Sequence, residues 1–330
     1  MGEGKGLKRV KSAAYRLRSA MGDATVQLLA AGLPKRIMTS RRHHFVWEKA
    51  GYHVTPSHFY WPIPDSRDIS EDLWELPSEM PGVDMQAEEQ LERLAQIFER
   101  FGEELTSLQL DPDYGEFQYG LRNDGFGPVD AEIFYSMIRQ HRPTTLIEIG
   151  AGNSSLLAQK ALEVNRNEGH PGRHVAVEPY PAEFLRRLAE DGRVELIERQ
   201  VQDVQLSIFE ALGANDILFI DSSHVAKLGS DVLYEVLEII PRLRTGVVVH
   251  IHDIFFPYVY PKHWFYQKKR FWNEQFLVQA FLAFNASFRV LWSSSYMNDR
   301  APELLRQRLT SIERVGESTY PSSLWIEKTG

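Results

Sequence analysis

The 330-residue sequence contains no cysteine. This absence excludes disulfide bonds, thiolate nucleophiles, cysteine-ligated zinc and iron–sulfur clusters, and it leaves His, Asp and Glu as the metal-ligand types. The sequence also lacks an apolar run of the roughly 18 to 20 residues that a membrane span needs, and its N-terminus has no uninterrupted signal-peptide core. We therefore expect a globular protein located in the cytoplasm.

Charge is distributed unevenly along the chain. The sequence has 37 Lys and Arg against 45 Asp and Glu, a net charge of −8. Residues 1–50 hold 11 of the basic and 3 of the acidic residues, so this arm carries +8 and the other residues carry −16. The acidic body argues against nucleic acid as the main partner. The arm is interpreted either as contacting an anionic surface or as a solvated helix.

Changes of pattern along the chain predict three regions. Residues 1–50 form the basic arm. Residues 51–127 form a cap segment, which is rich in Pro and aromatic residues at 52–85 and has an amphipathic helix predicted at 86–105. Residues 128–330 have a different sequence pattern, because short aliphatic runs alternate there with helical stretches. This alternation predicts a Rossmann-like α/β domain with parallel strands.

Seven strands are predicted in the third region. Those at 217–221 and 247–251 are almost continuously apolar, which indicates burial on both faces of a doubly wound sheet. The last two strands can form an antiparallel pair at the sheet edge. The predicted strands are 145–149, 175–178, 194–197, 217–221, 247–251, 288–292 and 323–326.

The first predicted strand runs into the sequence Glu-Ile-Gly-Ala-Gly-Asn-Ser-Ser at 148–155. Ligands of open α/β sheets bind at the carboxyl ends of the strands. Gly150 and Gly152 allow a tight turn and a close approach of the backbone to a ligand, and Asn153 and Ser154 can cap the next helix or bond a polar group. A third glycine typical of dinucleotide sites is missing, and no P-loop is present.

The ends of the next three strands carry polar groups suited to a nucleoside. Glu178 ends the second strand, where an acid can accept hydrogen bonds from both hydroxyls of a ribose. Gln202 and Asp203 follow the third strand, where a polar side chain can meet an adenine amino group. The fourth strand ends in Asp221 and Ser222. Together with the glycine turn, these groups predict a nucleoside site.

These motifs resemble those of the class I S-adenosylmethionine-dependent methyltransferases. More narrowly, Phe-Ile-Asp-Ser-Ser-His at 219–224, followed by Gly-Val-Val-Val-His-Ile-His-Asp at 246–253, is similar to the bacterial small-molecule O-methyltransferase-like group. That group often has Gly-Asp where this chain has two serines, which bears on any inherited metal site. The resemblance, over about residues 115–300, implies that S-adenosylmethionine is bound by Glu148, Gly150, Gly152, Asn153, Ser154, Glu178, Gln202, Asp203, Asp221 and Ser222.

Acidic and imidazole side chains are expected to converge at the ends of the fourth and fifth strands, and three interpretations remain open. In the first, Asp221, His224 and Asp253 bind a divalent cation such as Mg²⁺, which orients a substrate hydroxyl. In the second, His224 or His252 is a general base tuned by a neighbouring Asp. In the third, the histidines are structural. The predicted catalytic residues are His224, His252 and Asp253.

An aromatic segment follows the fifth strand, on the side where an acceptor substrate is expected. Nine of the eighteen residues at 255–272 are aromatic, which predicts a lid or an acceptor pocket that includes Tyr258 and Trp264. Packing against other aromatic residues is the structural alternative. The segment at 52–64 is expected to cover the site and to bring His58 and Tyr60 to the substrate.

The sequence therefore predicts an S-adenosylmethionine-dependent methyltransferase that acts on a hydroxyl of a small molecule or sugar. Two alternatives are a metal-dependent non-haem oxygenase or hydroxylase, and a Rossmann module that binds a partner without catalysis. The identity of the acceptor stays open, and both a monomer and a homodimer are compatible with the sequence.

Overall fold

The structure, a computed structural model, describes residues 22–28, 30–32, 34–123, 125–316 and 320–330. Residues 1–21, 29 and 33 of the basic arm lie outside the described residues, and the contact of the arm with an anionic surface stays a prediction. The chain divides into two units, residues 1–70 and residues 71–330.

The N-terminal unit contains short helices and extended segments. Residues 22–28 and 30–32 are helical, followed by α1 (Lys35–Met38) and α2 (Arg41–Lys49). Ser40 caps α2, because its hydroxyl accepts a hydrogen bond from the backbone N–H of His43.

The C-terminal unit alternates strands with helices. Its strands are β1 (Thr145–Ile149), β2 (Arg173–Val177), β3 (Glu195–Ile197), β4 (Ile217–Ile220), β5 (Val248–Ile251), β6 (Phe288–Ser293) and β7 (Leu324–Lys328). Its α-helices are α3 (Ala87–Thr106), α4 (Asp130–His141), α5 (Asn153–Asn167), α6 (Glu183–Glu190), α7 (Leu206–Glu210), α8 (Asp231–Tyr234), α9 (Lys262–Tyr266), α10 (Glu274–Leu282), α11 (Ser294–Arg300), α12 (Pro302–Arg308) and α13 (Ser311–Val315). The 3-10 helices are Glu71–Trp74, Val201–Asp203 and Ile240–Arg242.

The strands form one seven-stranded sheet in the order β3-β2-β1-β4-β5-β7-β6. Strands β1 to β5 are parallel, whereas β7 runs antiparallel to both β5 and β6. All four residues of β4 and of β5 are buried, and apolar clusters lie on both faces of the sheet. The predicted doubly wound Rossmann-like fold, with an antiparallel pair at one edge, is therefore confirmed.

Two strands end earlier than the sequence predicts, and the difference matters for function. Strand β2 ends at Val177 and β4 ends at Ile220, one residue before the acids Glu178 and Asp221. Each acid therefore lies in the turn after its strand, where its side chain can face a ligand instead of the core.

The helical segment between β4 and β5 is broken into three pieces. Helix α8 continues as a single π-helical turn at Glu235–Ile239 and then as the 3-10 helix Ile240–Arg242. Pro241 explains the irregularity, because it has no N–H to donate and disfavours α-helical geometry at the preceding residue.

Helix α3 belongs to the unit that contains the sheet. Its buried face includes Leu94 and Ile97, which confirms the predicted amphipathic helix. Gln90 accepts a hydrogen bond from the backbone N–H of Ser293 at 2.7 Å, so α3 is tied to the edge strand β6. Among the described residues, none of the helices combines the length and the apolar character needed to cross a membrane.

Candidate active site

A first cavity, which we call the cofactor cavity, lies at the carboxyl ends of β1 to β4. Its volume is about 500 Å³, within the range of small-molecule sites. Five residues predicted to bind a cofactor line it: Gly150, Glu178, Gln202, Asp221 and Ser222. They come from four separate turns, so the sheet topology brings them together.

The turn after β1 passes very close to the end of β4. Gly150 has a φ of +79°, and a Cβ added there would lie 1.9 Å from the main-chain oxygen of Asp221. Only glycine fits this approach. At Gly152, by contrast, an added Cβ would meet no heavy atom within 4 Å, so the space beside this part of the turn is open.

Glu178 is held at the wall of the cofactor cavity by two backbone groups. Its Oε1 accepts a hydrogen bond from the N–H of Tyr180 at 2.8 Å, and its Oε2 accepts one from the N–H of Ala151 at 3.3 Å. A carboxylate can accept about four hydrogen bonds. The remaining acceptor capacity suits a ligand with two neighbouring hydroxyl groups, such as a ribose.

Glu148 lies in the core and not on the cavity wall. Its side chain is fully buried, its Oε2 accepts a hydrogen bond from the hydroxyl of Ser155, and the same oxygen lies 2.7 Å from Nε2 of His174. These contacts tie β1 to β2 and α5. A role for Glu148 in cofactor binding stays a prediction.

Four further predicted cofactor residues lie outside the wall of this cavity: Gly152, Asn153, Ser154 and Asp203. Oδ1 of Asn153 accepts a hydrogen bond from the hydroxyl of Tyr114 at 3.0 Å. Ser154 is buried at the start of α5, and Asp203 is exposed. Their contact with a cofactor also stays a prediction.

A second cavity, which we call the acceptor cavity, adjoins the first and has a volume of about 530 Å³. Asp221 lines both cavities. Trp264 lies in the wall of the second, as predicted for a substrate residue. Tyr258 does not line it, and its hydroxyl instead donates a hydrogen bond to Asp299 at 2.7 Å.

The acceptor cavity carries charged groups of both signs together with aromatic rings. The polar and aromatic residues that line it, besides Asp221 and Trp264, are Arg122, Asn123, Asp130, His252, Asp253, Lys268, Arg270, Trp272, Tyr320 and Ser322.

A cluster of potential metal ligands lies where the two cavities meet. One ligand atom from each of Asp221, His252 and Asp253 lies within 4.8 Å of the others. Nε2 of His252 is 4.0 Å from Oδ1 of Asp253. Two carboxylates and one imidazole form a donor set that suits a divalent cation such as Mg²⁺ or Mn²⁺. The set shares two residues with the predicted metal site, but it has His252 where the prediction has His224.

His224 lies between three carboxylates. Its Nε2 is 3.3 Å from Oδ1 of Asp221 and 3.5 Å from Oδ2 of Asp253, and its Nδ1 is 2.9 Å from Oε2 of Glu274. Burial alone would lower the pKa of this imidazole, but hydrogen bonds to Asp221 and Glu274 outweigh burial and raise it well above 6.5. In this position the imidazole contacts both cluster acids, and a role of His224 as a general base stays a prediction.

The two histidines of β5 and the turn after it have different environments. The ring of His250 is fully buried and stacks on Phe219, and burial lowers its pKa well below 6.5. For His252, burial lowers the pKa, but the nearby carboxylates Asp221 and Asp253 raise it more. His252 also lines the acceptor cavity. The structural interpretation therefore fits His250, whereas His252 faces the space where a substrate would bind.

Sequence reasoning missed three residues that shape this site. Glu274 begins α10 and bonds His224, although 50 residues separate them. Trp272 packs on His224 with ring centroids 4.3 Å apart. Arg270 lies over the rings of Trp264 and Trp272. The aromatic composition of 255–272 indicated a pocket, but no local pattern distinguished these side chains from their neighbours.

The N-terminal unit holds the other two predicted substrate residues. His58 stacks on Phe59 with ring centroids 4.3 Å apart, and 81% of Tyr60 is exposed. Their role in substrate binding stays a prediction. The same unit contains a second group of potential metal ligands, the exposed residues His44, Glu48 and His53.

Comparison with known proteins gives two matches in sequence. A family model described as a methyltransferase domain matches residues 147–254, which contain the last three residues of β1, the whole of β2 to β5 and most of the cofactor cavity. An uncharacterized protein of Archaeoglobus fulgidus is 34% identical over 184 residues, which cover 53% of this chain and 81% of the archaeal protein.

Two solved structures of methyltransferases are similar to this chain, with lower sequence identity than the archaeal protein. The SAH-bound methyltransferase PaMTH1 of Podospora anserina has 13% identity and a TM-score of 0.38, over 73% of this chain and 88% of that chain. An O-methyltransferase from Bacillus cereus in complex with SAH has 14% identity and a TM-score of 0.35, over 73% of this chain and 90% of that chain.

The strand order, the cofactor cavity at the strand ends and the domain match together define a class I S-adenosylmethionine-dependent methyltransferase. The chain belongs to the same family as the archaeal protein to which it is 34% identical.

Proposed function

We propose that the protein transfers a methyl group from S-adenosylmethionine to a hydroxyl oxygen of a small-molecule acceptor. The observation that carries this proposal is the junction of the two cavities at Asp221. A donor bound on one side and an acceptor bound on the other would meet beside the cluster of Asp221, His252 and Asp253. Positioning of two reactants in this way can supply much of the rate of a displacement reaction.

The residues of the cofactor cavity fit S-adenosylmethionine. Glu178 is available to the ribose hydroxyls, Gln202 lies where an adenine amino group is expected, and Gly150 keeps the turn beside them free of a side chain. S-adenosylmethionine, when bound, supplies a methyl group already activated on a sulfonium. Contacts of Glu148, Asn153, Ser154 and Asp203 with the cofactor are part of the proposal.

The acceptor hydroxyl is activated by the cluster at the junction. Asp221, His252 and Asp253 would hold a divalent cation, which lowers the pKa of a coordinated hydroxyl when bound. His224 positions Asp221 and Asp253 through its Nε2, and Glu274 fixes the imidazole from the other side. In the alternative without a metal, His252 takes the proton of the acceptor directly.

A metal-dependent oxygenase is less well supported. Such enzymes commonly bind iron with two His and one carboxylate, whereas the cluster at the junction has one His and two carboxylates. An oxygenase would also leave the nucleoside-like cofactor cavity without a role. A module without catalytic activity would not require the cluster of Asp221, His252 and Asp253 beside that cavity.

Calorimetric titration with S-adenosylhomocysteine tests the proposed function. We expect binding with micromolar or tighter affinity, and no binding would refute the assignment. Metal analysis of the purified protein, together with Mg²⁺ and Mn²⁺ titrations before and after chelation, then separates the metal-dependent from the metal-free mechanism. Cytoplasmic location, a homodimer and contact of residues 1–50 with an anionic surface remain predictions.

A further inference from the structure

We propose that the acceptor is an anion, whose carboxylate or phosphate group is bound by Arg270 and Lys268 in the wall of the acceptor cavity. This inference rests on the proposed function, because it names the class of substrate for that site. It depends on three features: two cations that form no ion pair with a described residue, acids that already have partners, and a tryptophan that links Arg270 to the reaction centre.

The side chains of Arg270 and Lys268 contact aromatic rings, and among the described residues neither contacts a carboxylate. The guanidinium of Arg270 lies 4.7 Å from the ring centroid of Trp264 and 4.5 Å from that of Trp272, and the ammonium of Lys268 lies 5.5 Å from the ring of Trp264. Within the part of the chain that the structure describes, neither cation forms an ion pair with a carboxylate. Both line the same cavity, so two positive charges lie there that are not paired with an acid of the described residues.

The acids of the same cavity already have partners in the protein. Asp221 and Asp253 both lie within 3.5 Å of His224. The carboxylate of Asp130 accepts hydrogen bonds from the backbone N–H groups of Ser322 and Ser323, at 2.8 and 3.0 Å. None of these acids is paired with Arg270 or Lys268, and an anionic ligand would form that ion pair.

Stacking prepares Arg270 for a planar anion. A guanidinium that contacts two indole rings loses few rotamers when a ligand binds, and its donors match a carboxylate or a phosphate in pairs. Lys268 adds a second, more mobile charge beside it. Arg122 also lines the cavity, but it lies 3.6 Å from Asp111, so its charge is partly balanced and we assign it no direct role.

Trp272 links the proposed anion site to the reaction centre. One indole ring contacts both the guanidinium of Arg270 and the imidazole of His224, which holds the two cluster acids. An acceptor with its anionic group at Arg270 would thus extend along Trp272 toward Asp221 and Asp253. A cavity of about 530 Å³ has room for a compact hydroxy acid or a sugar phosphate.

Matched pairs of probes test the proposal on the protein saturated with S-adenosylhomocysteine. Calorimetry would compare 4-hydroxybenzoate with neutral 4-hydroxybenzamide, and glucose 6-phosphate with glucose. We expect the charged member of at least one pair to bind tenfold or more tightly than its neutral partner. The pair that shows this preference identifies the anionic group as a carboxylate or a phosphate.

Substitutions in one loop then locate the effect. Arg270→Gln and Lys268→Gln should each reduce the preference for the charged probe by about tenfold, the scale of one charge-assisted hydrogen bond. Arg270→Lys should restore part of the preference. Lys269→Gln is the matched control, because it removes the same charge from an exposed neighbour outside the cavity wall, and it should change nothing.

The outcomes separate the two proposals. If S-adenosylhomocysteine binds but charged and neutral probes bind alike, the acceptor is not recognised as an anion and the proposed function stands. If Lys269→Gln has the same effect as Arg270→Gln, the preference reflects the general charge of the loop and the assigned site is wrong. If S-adenosylhomocysteine does not bind, the proposed function itself fails.

Discussion

The two cavities that meet at Asp221 are built in different ways. The cofactor cavity is formed largely by turns at the ends of parallel strands, where glycine and backbone N–H groups set the geometry. The acceptor cavity is formed by long side chains from segments far apart in the sequence, such as Arg122 and Arg270. The first is therefore a product of topology, whereas the second depends on the particular side chains of this chain, and substrate choice should reside there.

This difference predicts that single substitutions can damage one cavity and spare the other. Asp253→Asn should have the largest effect, a fall in methyl transfer of roughly 10²- to 10⁴-fold, because the substitution disrupts the group that activates the acceptor. Affinity for S-adenosylhomocysteine should stay the same. Labelled methyl transfer and calorimetry measure the two quantities.

Asp299→Asn provides the matched control for that substitution, because Asp299 is exposed and outside both cavities. A parallel loss of cofactor affinity in Asp253→Asn would mean that the two cavities are not independent.

Gly150→Ala should damage both cavities at once. A Cβ at this position would overlap the main chain of Asp221, and the φ of +79° is itself unfavourable for alanine. We expect the free energy of unfolding to fall by about 2 to 5 kcal/mol, as measured by denaturant titration. Gly152→Ala meets no neighbour and should leave stability almost unchanged; an equal loss there would contradict the steric explanation.

Glu178→Ala should weaken the cofactor cavity alone. Loss of hydrogen bonds to a charged acceptor predicts an affinity for S-adenosylhomocysteine about 10- to 100-fold lower, while Mg²⁺ titration of the cluster at the junction should not change. Glu183→Ala removes an exposed acid at the start of α6 and serves as the control. Unchanged affinity in Glu178→Ala would refute the ribose contact.

The smallest expected effect is a change in the free energy of unfolding with pH, caused by Glu132, a buried acid of α4. Burial raises the pKa of Glu132 from 4.5 to about 7, although hydrogen bonds from Ser311 and Val129 and the charge of Arg314 act in the opposite direction. Because the folded state holds this proton more tightly than the unfolded state, stability is full below pH 4.5 and falls as the pH rises through 7.

Glu132→Gln should remove that dependence, which we expect to be on the order of 1 to 3 kcal/mol between pH 5 and pH 8. Unfolding by denaturant at the two pH values, in the wild type and the variant, measures it. Tyr119 and Arg314 are titratable groups that interact with Glu132, so Tyr119→Phe is a suitable control. The same pH dependence in Glu132→Gln would assign it to another group.

A site residue could be predicted from the sequence when the elements that define its role lie next to it in the chain. Gly150 and Glu178 were found from sequence because a strand, a turn and a helix follow each other within a few residues. Glu148 illustrates the limit of this reasoning: it is still within β1, and alternation along a strand directs its side chain toward the helix layer, where it meets Ser155.

Prediction from sequence is more limited for the residues around the acceptor cavity. The prediction that His224, His252 and Asp253 converge is consistent with the structure, since all three lie at the ends of β4 and β5. One of the two carboxylates that raise the pKa of His224 is Glu274, from the start of α10. No periodicity or motif relates two side chains that come together only when the loop between them folds.

The sequence by itself determined the order of strands and helices, the doubly wound sheet and the turns that form the cofactor cavity, because apolar periodicity and glycine act over a few residues. Tertiary structure alone decided which imidazole joins the potential metal cluster and which cations face the acceptor. Those properties depend on distances of a few ångströms between residues far apart in the chain, and electrostatic and hydrogen-bond energies change steeply over such distances.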